Sequence, residues 1–278
     1  GSSASICAAL STGFYQLFRI FNQSDMSVVT YSLLPNELSL INSWTFQGEC
    51  IIHGTPSGVD NTCCVYGGVI EFQRENGHTK TQFLPAGCIP SSIKIFIINT
   101  KHPKNTKSLV AGVHKLKNQY SPIVQSIFDS IEHITQTIIE NIEYYMQTNN
   151  IPTLQIKNDF QYINQNKQHN ILNNKQMTDV DLFNMFKDIF PINQQLLNAI
   201  GVGHSSIDKV VDISNTFSDV LTTKLTGAGG GGCVITLSHP EISLELIDKY
   251  TQDIKEKNYD IFTTVMGQVG VALHPLNE

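Results

Sequence analysis

A chain of 278 residues, 41% of them hydrophobic, can bury one large core or two ordinary ones. Its net charge of -6, with no run of lysine or arginine, excludes a general nucleic-acid or anionic-membrane surface, so any phosphate must be bound locally by backbone N–H groups and a few placed cations. No apolar run reaches the ~20 residues of a membrane span, and the six cysteines (Cys7, Cys50, Cys63, Cys64, Cys88, Cys233) have neither a CxxC pair nor metal-ligand spacing, which predicts buried free thiols.

Gly1-Ser2-Ser3-Ala4-Ser5 opens a predicted helix, in which Ile6, Leu10, Phe14, Leu17 and Phe21 recur at helical spacing. A second helix is expected from about Pro35 to Gln47, with Leu38, Ile41 and Trp44 on one face. Gly48, Gly54, Pro56 and Gly58 are expected to break it into a loop. Val65 to Phe72 reads as a strand bent at Gly67-Gly68. The turn signal Glu75-Asn76-Gly77 predicts a hairpin with the segment that follows. Ile93 to Ile98 reads as a buried strand. Ser121-Pro122 starts a long helix whose face is marked by Ile123, Ile127, Ile131, Ile134, Ile138 and Ile142.

From Gln147 to Gln176 the chain is rich in Asn and Gln and poor in apolar anchors, as in an insertion or a dispensable mobile loop. Thr178-Asp179-Val180-Asp181 resembles a capping box, and another helix starts near Ser205. A strand at Cys233–Leu237, a helix at about Glu241–Lys257, and strands near Asp260–Val265 and Val269–Leu273 complete the chain. The mixture of strands and helices predicts an α+β class, and no internal repeat is present.

Three strings carry candidate chemistry. The small residues of Gly1-Ser2-Ser3-Ala4-Ser5 would let a phosphate approach the unpaired N–H groups of a helix start, and a hydroxyl there can ligate Mg²⁺. The same string serves equally as a helix cap. In Gln47 to Asn61, the carboxylates Glu49 and Asp60 lie eleven positions apart, separated by apolar residues and a Gly/Pro turn. Phosphoryl transfer needs such a pair, one acid for the metal and one for the attacking hydroxyl; a loop with two solvated acids is the competing reading. His53 has no His or Cys partner at metal spacing, which favours a hydrogen-bonded structural role over a base or ligand. Lys224 to Cys233 contains five glycines in ten residues, directly before a strand. Such a loop can set bare N–H groups against phosphate oxygens, although it is neither a Walker phosphate loop nor a dinucleotide fingerprint. A flexible linker is the alternative.

Together these strings resemble the family of galactokinase, homoserine kinase, mevalonate kinase and phosphomevalonate kinase, and within it the branch that phosphorylates mevalonate. Gly48 to Asn61 is similar to its central motif, Lys224 to Cys233 to its third, and Gly1-Ser2-Ser3-Ala4 to the end of its Gly-rich ATP loop. Asn99 to Lys101, Asn105 to Val113 and Gly203 to Asp208 extend the resemblance along nearly the whole chain.

The resemblance implies a two-domain α+β kinase fold with the active site in the inter-domain cleft and a ferredoxin-like second domain. Residues 1–85 would be the C-terminal part of an ATP-binding domain and 86–278 the second domain. It implies ATP-dependent conversion of mevalonate to 5-phosphomevalonate in isoprenoid and sterol precursor biosynthesis. Asp60 would be the catalytic aspartate, and Ser3 and Glu49 the Mg²⁺ ligands. Gly1, Ser2, Ser3, Ala4, Gly227, Ala228, Gly229, Gly230 and Gly231 would be at ATP phosphates, with His53, Gly54, Ser57 and Thr106 as active-site neighbours. The cofactor would be Mg²⁺ with ATP as co-substrate. A homodimer, inhibition by isoprenoid diphosphates, a cytosolic or peroxisomal location, and no nucleic-acid or membrane partner are implied too. The family's first motif, most of its adenine pocket and a lysine near the nucleophile would precede Gly1, so residues 1–278 alone are expected to be nearly inactive. Another sugar or alcohol kinase, and an inactive or partial copy of the enzyme, stand as alternatives.

Overall fold

The computed structural model describes residues 2–22, 33–54, 56–75, 78–152 and 175–273. They divide into two units: 2–88 with 267–273, and 89–151 with 175–266. Most of the Asn/Gln-rich tract, residues 153–174, lies outside the described residues, as do Gly1 and Thr55. No described helix is long and apolar enough to cross a membrane.

The first unit is built from helices α1 (Ser2–Asn22), α2 (Pro35–His53) and α3 (Val59–Tyr66) and the hairpin of β1 (Val69–Glu75) and β2 (His78–Leu84). The predicted stripe on α1 is helical but faces outward: Phe14 is 64% and Phe21 82% exposed. The small side, Ala4, Ala8, Ser11 and Thr12, is buried instead, because small side chains allow close approach to α2 and α3. Its core gathers Ala8, Ile41 and Val65.

Two expectations fail here at glycines, for opposite reasons: Gly48 does not break a helix, and Gly67 ends one. Helix α2 runs through Gly48 to His53, because a Cβ at Gly48 would lie 2.8 Å from Cys7 Sγ. The glycine is there for helix–helix contact, and α2 ends at Gly54 (φ 79°). Val65 and Tyr66 are helical rather than extended, and the strand begins only after Gly67 (φ 70°) closes α3. The expected strand Val269–Leu273 is reduced to a single bridge from Val269 to Gly67, with Val271 N–H donating to Val65 O over 3.1 Å. Residues 267–273 thus belong with the first unit.

The second unit carries β3 (Lys94–Asn99), α4 (Thr106–Gln119), α5 (Ser121–Thr148), α6 (Asp179–Ala199), α7 (Ser205–Asn215), β4 (Leu221–Leu225), β5 (Cys233–Ser238), α8 (Leu244–Glu256) and β6 (Asp260–Val265). The sheet order β4-β5-β3-β6, all antiparallel, is that of a ferredoxin-like fold, as expected. Strand β4 was not anticipated. The capping box at α6 forms as read, with Asp181 N–H donating to Thr178 Oγ1 over 3.1 Å and Thr178 N–H to Asp181 Oδ2 over 2.9 Å. Phe96 and Ile98 of β3, Val234 of β5, and Tyr250 and Ile254 of α8 form the centre of the core. None of the six cysteines is in a disulfide, and only Cys88 is buried, against the expectation for all six.

Four hydroxyls meet inside this core. Thr223 Oγ1 donates to Ser214 Oγ over 2.6 Å, and Thr236 Oγ1 lies 2.7 Å from Thr223 Oγ1 and 2.8 Å from the Tyr250 hydroxyl. Tyr250 closes the ring 3.0 Å from Ser214 Oγ, which also donates to Val210 O over 2.9 Å. Beside them Lys224 of β4 is largely buried with the Phe190 ring 5.7 Å away, and burial pushes its ammonium below the usual lysine range.

Ser214→Ala should strand one buried O–H donor and cost about 1–3 kcal/mol, read as a lower urea midpoint at unchanged slope. Lys224→Met should stabilise at neutral pH. Because the unfolded chain holds that proton up to the ordinary lysine pKa and the folded chain releases it earlier, wild-type stability rises with pH in that window. The advantage of the variant should therefore shrink between neutral pH and about pH 10; a pH-independent difference would count against the buried ammonium as its cause.

Candidate active site

Continuation of α2 past Gly48 places Glu49 and His53 four residues apart on one helical face. Glu49 is 3% exposed, and its Oε1 has no hydrogen-bond partner among the described residues. His53, exposed at the helix end, has Nε2 3.0 Å from Ser3 Oγ in the first turn of α1. Ser3 and His53 are thus brought together, with Ala4 fully buried beside them. A buried, unpartnered carboxylate is costly unless a cation or proton compensates it. Hard oxygen donors suit Mg²⁺, which is commonly held by one or two carboxylates, with water and substrate phosphates completing its shell. The residues present fit the ion.

Asp60 is exposed in the first turn of α3, where a helix start favours negative charge. Gly58 (φ 88°) turns the chain into that helix, and Val59 N–H donates to Ser57 Oγ over 3.3 Å. One turn further on, burial, Cys64 and the Asp60 charge together push the Cys63 thiol up. A cavity of about 320 Å³ opens beside Ser57 and Gly58, walled by Phe46, Phe72 and the amides of Asn42 and Asn61, which pair at 2.7 Å. Neither asparagine was singled out from sequence; Asn61 lies next to Asp60 in the motif, but nothing in the pattern announces Asn42.

In the second unit the glycine-rich loop joins β4 to β5. It is a folded loop rather than a linker. Gly229 (φ 73°) presses on Val202, where a Cβ would lie 2.1 Å from the carbonyl oxygen. Gly230 N–H donates to Val202 O over 2.8 Å and Gly232 N–H to His102 O over 3.0 Å. The N–H of Gly230 is therefore committed to the fold, a constraint on its expected role at phosphate. Gly227, Ala228, Gly229 and Gly231 donate no such bond among the described residues.

Lys104, missed from sequence, extends over this loop, its Nζ 3.5 Å from a Cβ position on Gly227. Its place between Lys101 and Lys107, two positions before Thr106, gives it no signal of its own in the sequence. Thr106 itself is exposed as the first residue of α4, whose cap is Asn105, accepting from Ser108 N–H over 3.1 Å. The rings of His102 and His204 stack at 3.9 Å beneath the loop's anchor points.

Residues 180–253 match the family described as GHMP kinases C terminal. The chain is 32% identical over 283 residues to the mevalonate kinase of Dictyostelium discoideum, covering 99% of this chain and 64% of that protein. It is likewise 32% identical over 275 residues to the mevalonate kinase of Mus musculus, covering 99% and 60%. The chain thus spans less than two thirds of the length of these relatives. Among solved structures, an L. major mevalonate kinase in complex with R-mevalonate aligns with a TM-score of 0.64 at 22% identity, over 96% of this chain and 66% of that one. A Lactococcus lactis galactokinase complexed with galactose aligns with a TM-score of 0.57 at 13% identity, over 98% and 67%. At these identities the structures speak for the fold alone. The chain is thus similar to mevalonate kinases along nearly its whole length, and over residues 180–253 it matches the C-terminal region of the GHMP kinases.

Proposed function

We propose that this chain is part of an ATP-dependent kinase that phosphorylates the primary alcohol of mevalonate to 5-phosphomevalonate. The observation that carries the proposal is the buried Glu49 carboxylate with an oxygen unpaired among the described residues, in a chain similar to mevalonate kinases along nearly its own whole length. Glu49 and Ser3 would hold Mg²⁺. Bound there, the ion would bridge ATP phosphates and neutralise charge that develops during transfer.

Asp60 accepts or orients the proton of the attacking hydroxyl, and its exposure leaves it accessible to a substrate. Ser57 and Thr106 offer hydroxyls to the substrates, and the turn at Gly54 sets the spacing between the two acids. Ser2, Ser3 and Ala4 at the start of α1, preceded in sequence by Gly1, would offer backbone N–H groups to phosphate, and so, within the second unit, would Gly227, Ala228, Gly229 and Gly231 of the loop. Gly230 acts there by anchoring the loop, and Lys104 adds a cation. The reading assigns residues 1–85 to the ATP-binding domain and most of 86–278 to the second. It further includes a homodimer, inhibition by isoprenoid diphosphates and a cytosolic or peroxisomal location.

In the full-length protein, ADP release should depend on mevalonate and not on galactose or homoserine; release with the other acceptors alone would overturn the substrate assignment. Asp60→Ala should lower kcat by ~10²–10⁴-fold while ATP still binds. Near-normal turnover would remove Asp60 from the mechanism. Glu49→Gln should raise the Mg²⁺ concentration for half-maximal rate, since one anionic ligand is lost; an unchanged titration would place the metal elsewhere.

A further inference from the structure

The bond between Ser3 and His53 asks for a purpose. His53 is exposed, at the end of α2 and followed at once by Gly54, whose φ of 79° turns the chain away. A single hydrogen bond at such a site adds little to stability. Yet it fixes the orientation of one hydroxyl, that of Ser3, at 3.0 Å from Nε2. One turn back on the same face is Glu49, whose buried Oε1 lacks a partner among the described residues.

A neutral serine hydroxyl that lends a lone pair to a divalent cation keeps its proton. The proton needs an acceptor on the side away from the cation, or the hydroxyl is free to rotate its lone pairs out of line. We propose that His53 is the positioning residue of the metal site. With Nε2 as the acceptor, the ring takes the hydrogen bond of the Ser3 hydroxyl and so holds the Ser3 lone pairs for the ion that Glu49 would also ligate. The opposite tautomer would make Nε2 a donor to Ser3 and occupy the lone pair that the ion requires. The role rests on the reading of Ser3 and Glu49 as Mg²⁺ ligands.

The test is metal affinity rather than turnover. Mn²⁺ is titrated into the full-length protein with a non-hydrolysable ATP analogue, and free Mn²⁺ is followed by electron paramagnetic resonance. His53→Leu, which removes the acceptor, should weaken Mn²⁺ about tenfold. His53→Gln, which can present an amide oxygen near the Nε2 position, should stay within about twofold of wild type, since the Ser3 hydroxyl keeps an acceptor. Both should keep the wild-type melting temperature. Ser3→Ala should weaken Mn²⁺ as well, and adding His53→Leu to it should cost nothing more, because the residue that His53 orients is gone. Wild-type affinity in His53→Leu, or a loss that adds to that of Ser3→Ala, would overturn the positioning role while leaving the metal site intact. Unchanged affinity in both Ser3→Ala and Glu49→Gln would instead refute the metal site, and the role of His53 with it.

Discussion

At Gly48, α2 comes so close to α1 that a Cβ would lie 2.8 Å from Cys7 Sγ and 3.2 Å from Cys7 Cβ. A glycine inside a helix costs roughly 0.5–1 kcal/mol relative to alanine. The contact it permits offsets that cost, and the rest of the site follows from it. Because α2 does not break at Gly48, Glu49 is carried into the interior instead of into a loop, and His53 arrives one turn later on the same face. Because α1 lies against α2, the first turn of α1 is within a hydrogen bond of that face. The spacing of the motif is therefore helical where the acids begin and turn-like only between Gly54 and Gly58, with Asp60 entering a second helix.

The motif residues could be found from sequence, but their local conformation could not. The capping box at Thr178 and the strand around Ile93 to Ile98 were legible because each is specified by neighbours within a few positions. The end of α2 was misread because the reason for Gly48 is Cys7, forty-one places away in sequence. Likewise Val65 and Tyr66 are β-favouring types held in a helix by Gly67 and by burial of Val65 among α1 and α2 residues. Strand β4 was overlooked because Leu221-Thr222-Thr223-Lys224-Leu225 is covered on both faces and shows no alternation. The outward stripe of α1 is helical in period whichever side is buried; periodicity reports the element and is silent about the face.

The two units carry different candidate groups, and each has the secondary structure suited to its own. Carboxylates and a hydroxyl need fixed side chains, and in the first unit they stand on helices. Backbone N–H groups are available only where a ladder does not consume them, and in the second unit they lie in a loop whose other N–H groups are tied to Val202 and His102. The loop is thus rigid by construction. Its glycines are needed for φ values near 70° at Gly227 and Gly232 as much as for access.

The ring of hydroxyls in the second unit has a consequence of its own. Five contacts join Ser214, Thr223, Thr236, Tyr250 and the Val210 carbonyl, but the four hydroxyls carry four protons. Ser214 spends its proton on Val210 and Thr223 spends its own on Ser214, which leaves the protons of Tyr250 and Thr236 to serve three contacts. Thr236 is left with one proton and two acceptors, Thr223 and Tyr250. One of the five contacts must therefore go without a proton, at a place where Thr236 has no solvent exposure and no water can supply one. The shortfall is set by the number of hydroxyls brought together, and the core carries it as one oxygen facing another across lone pairs.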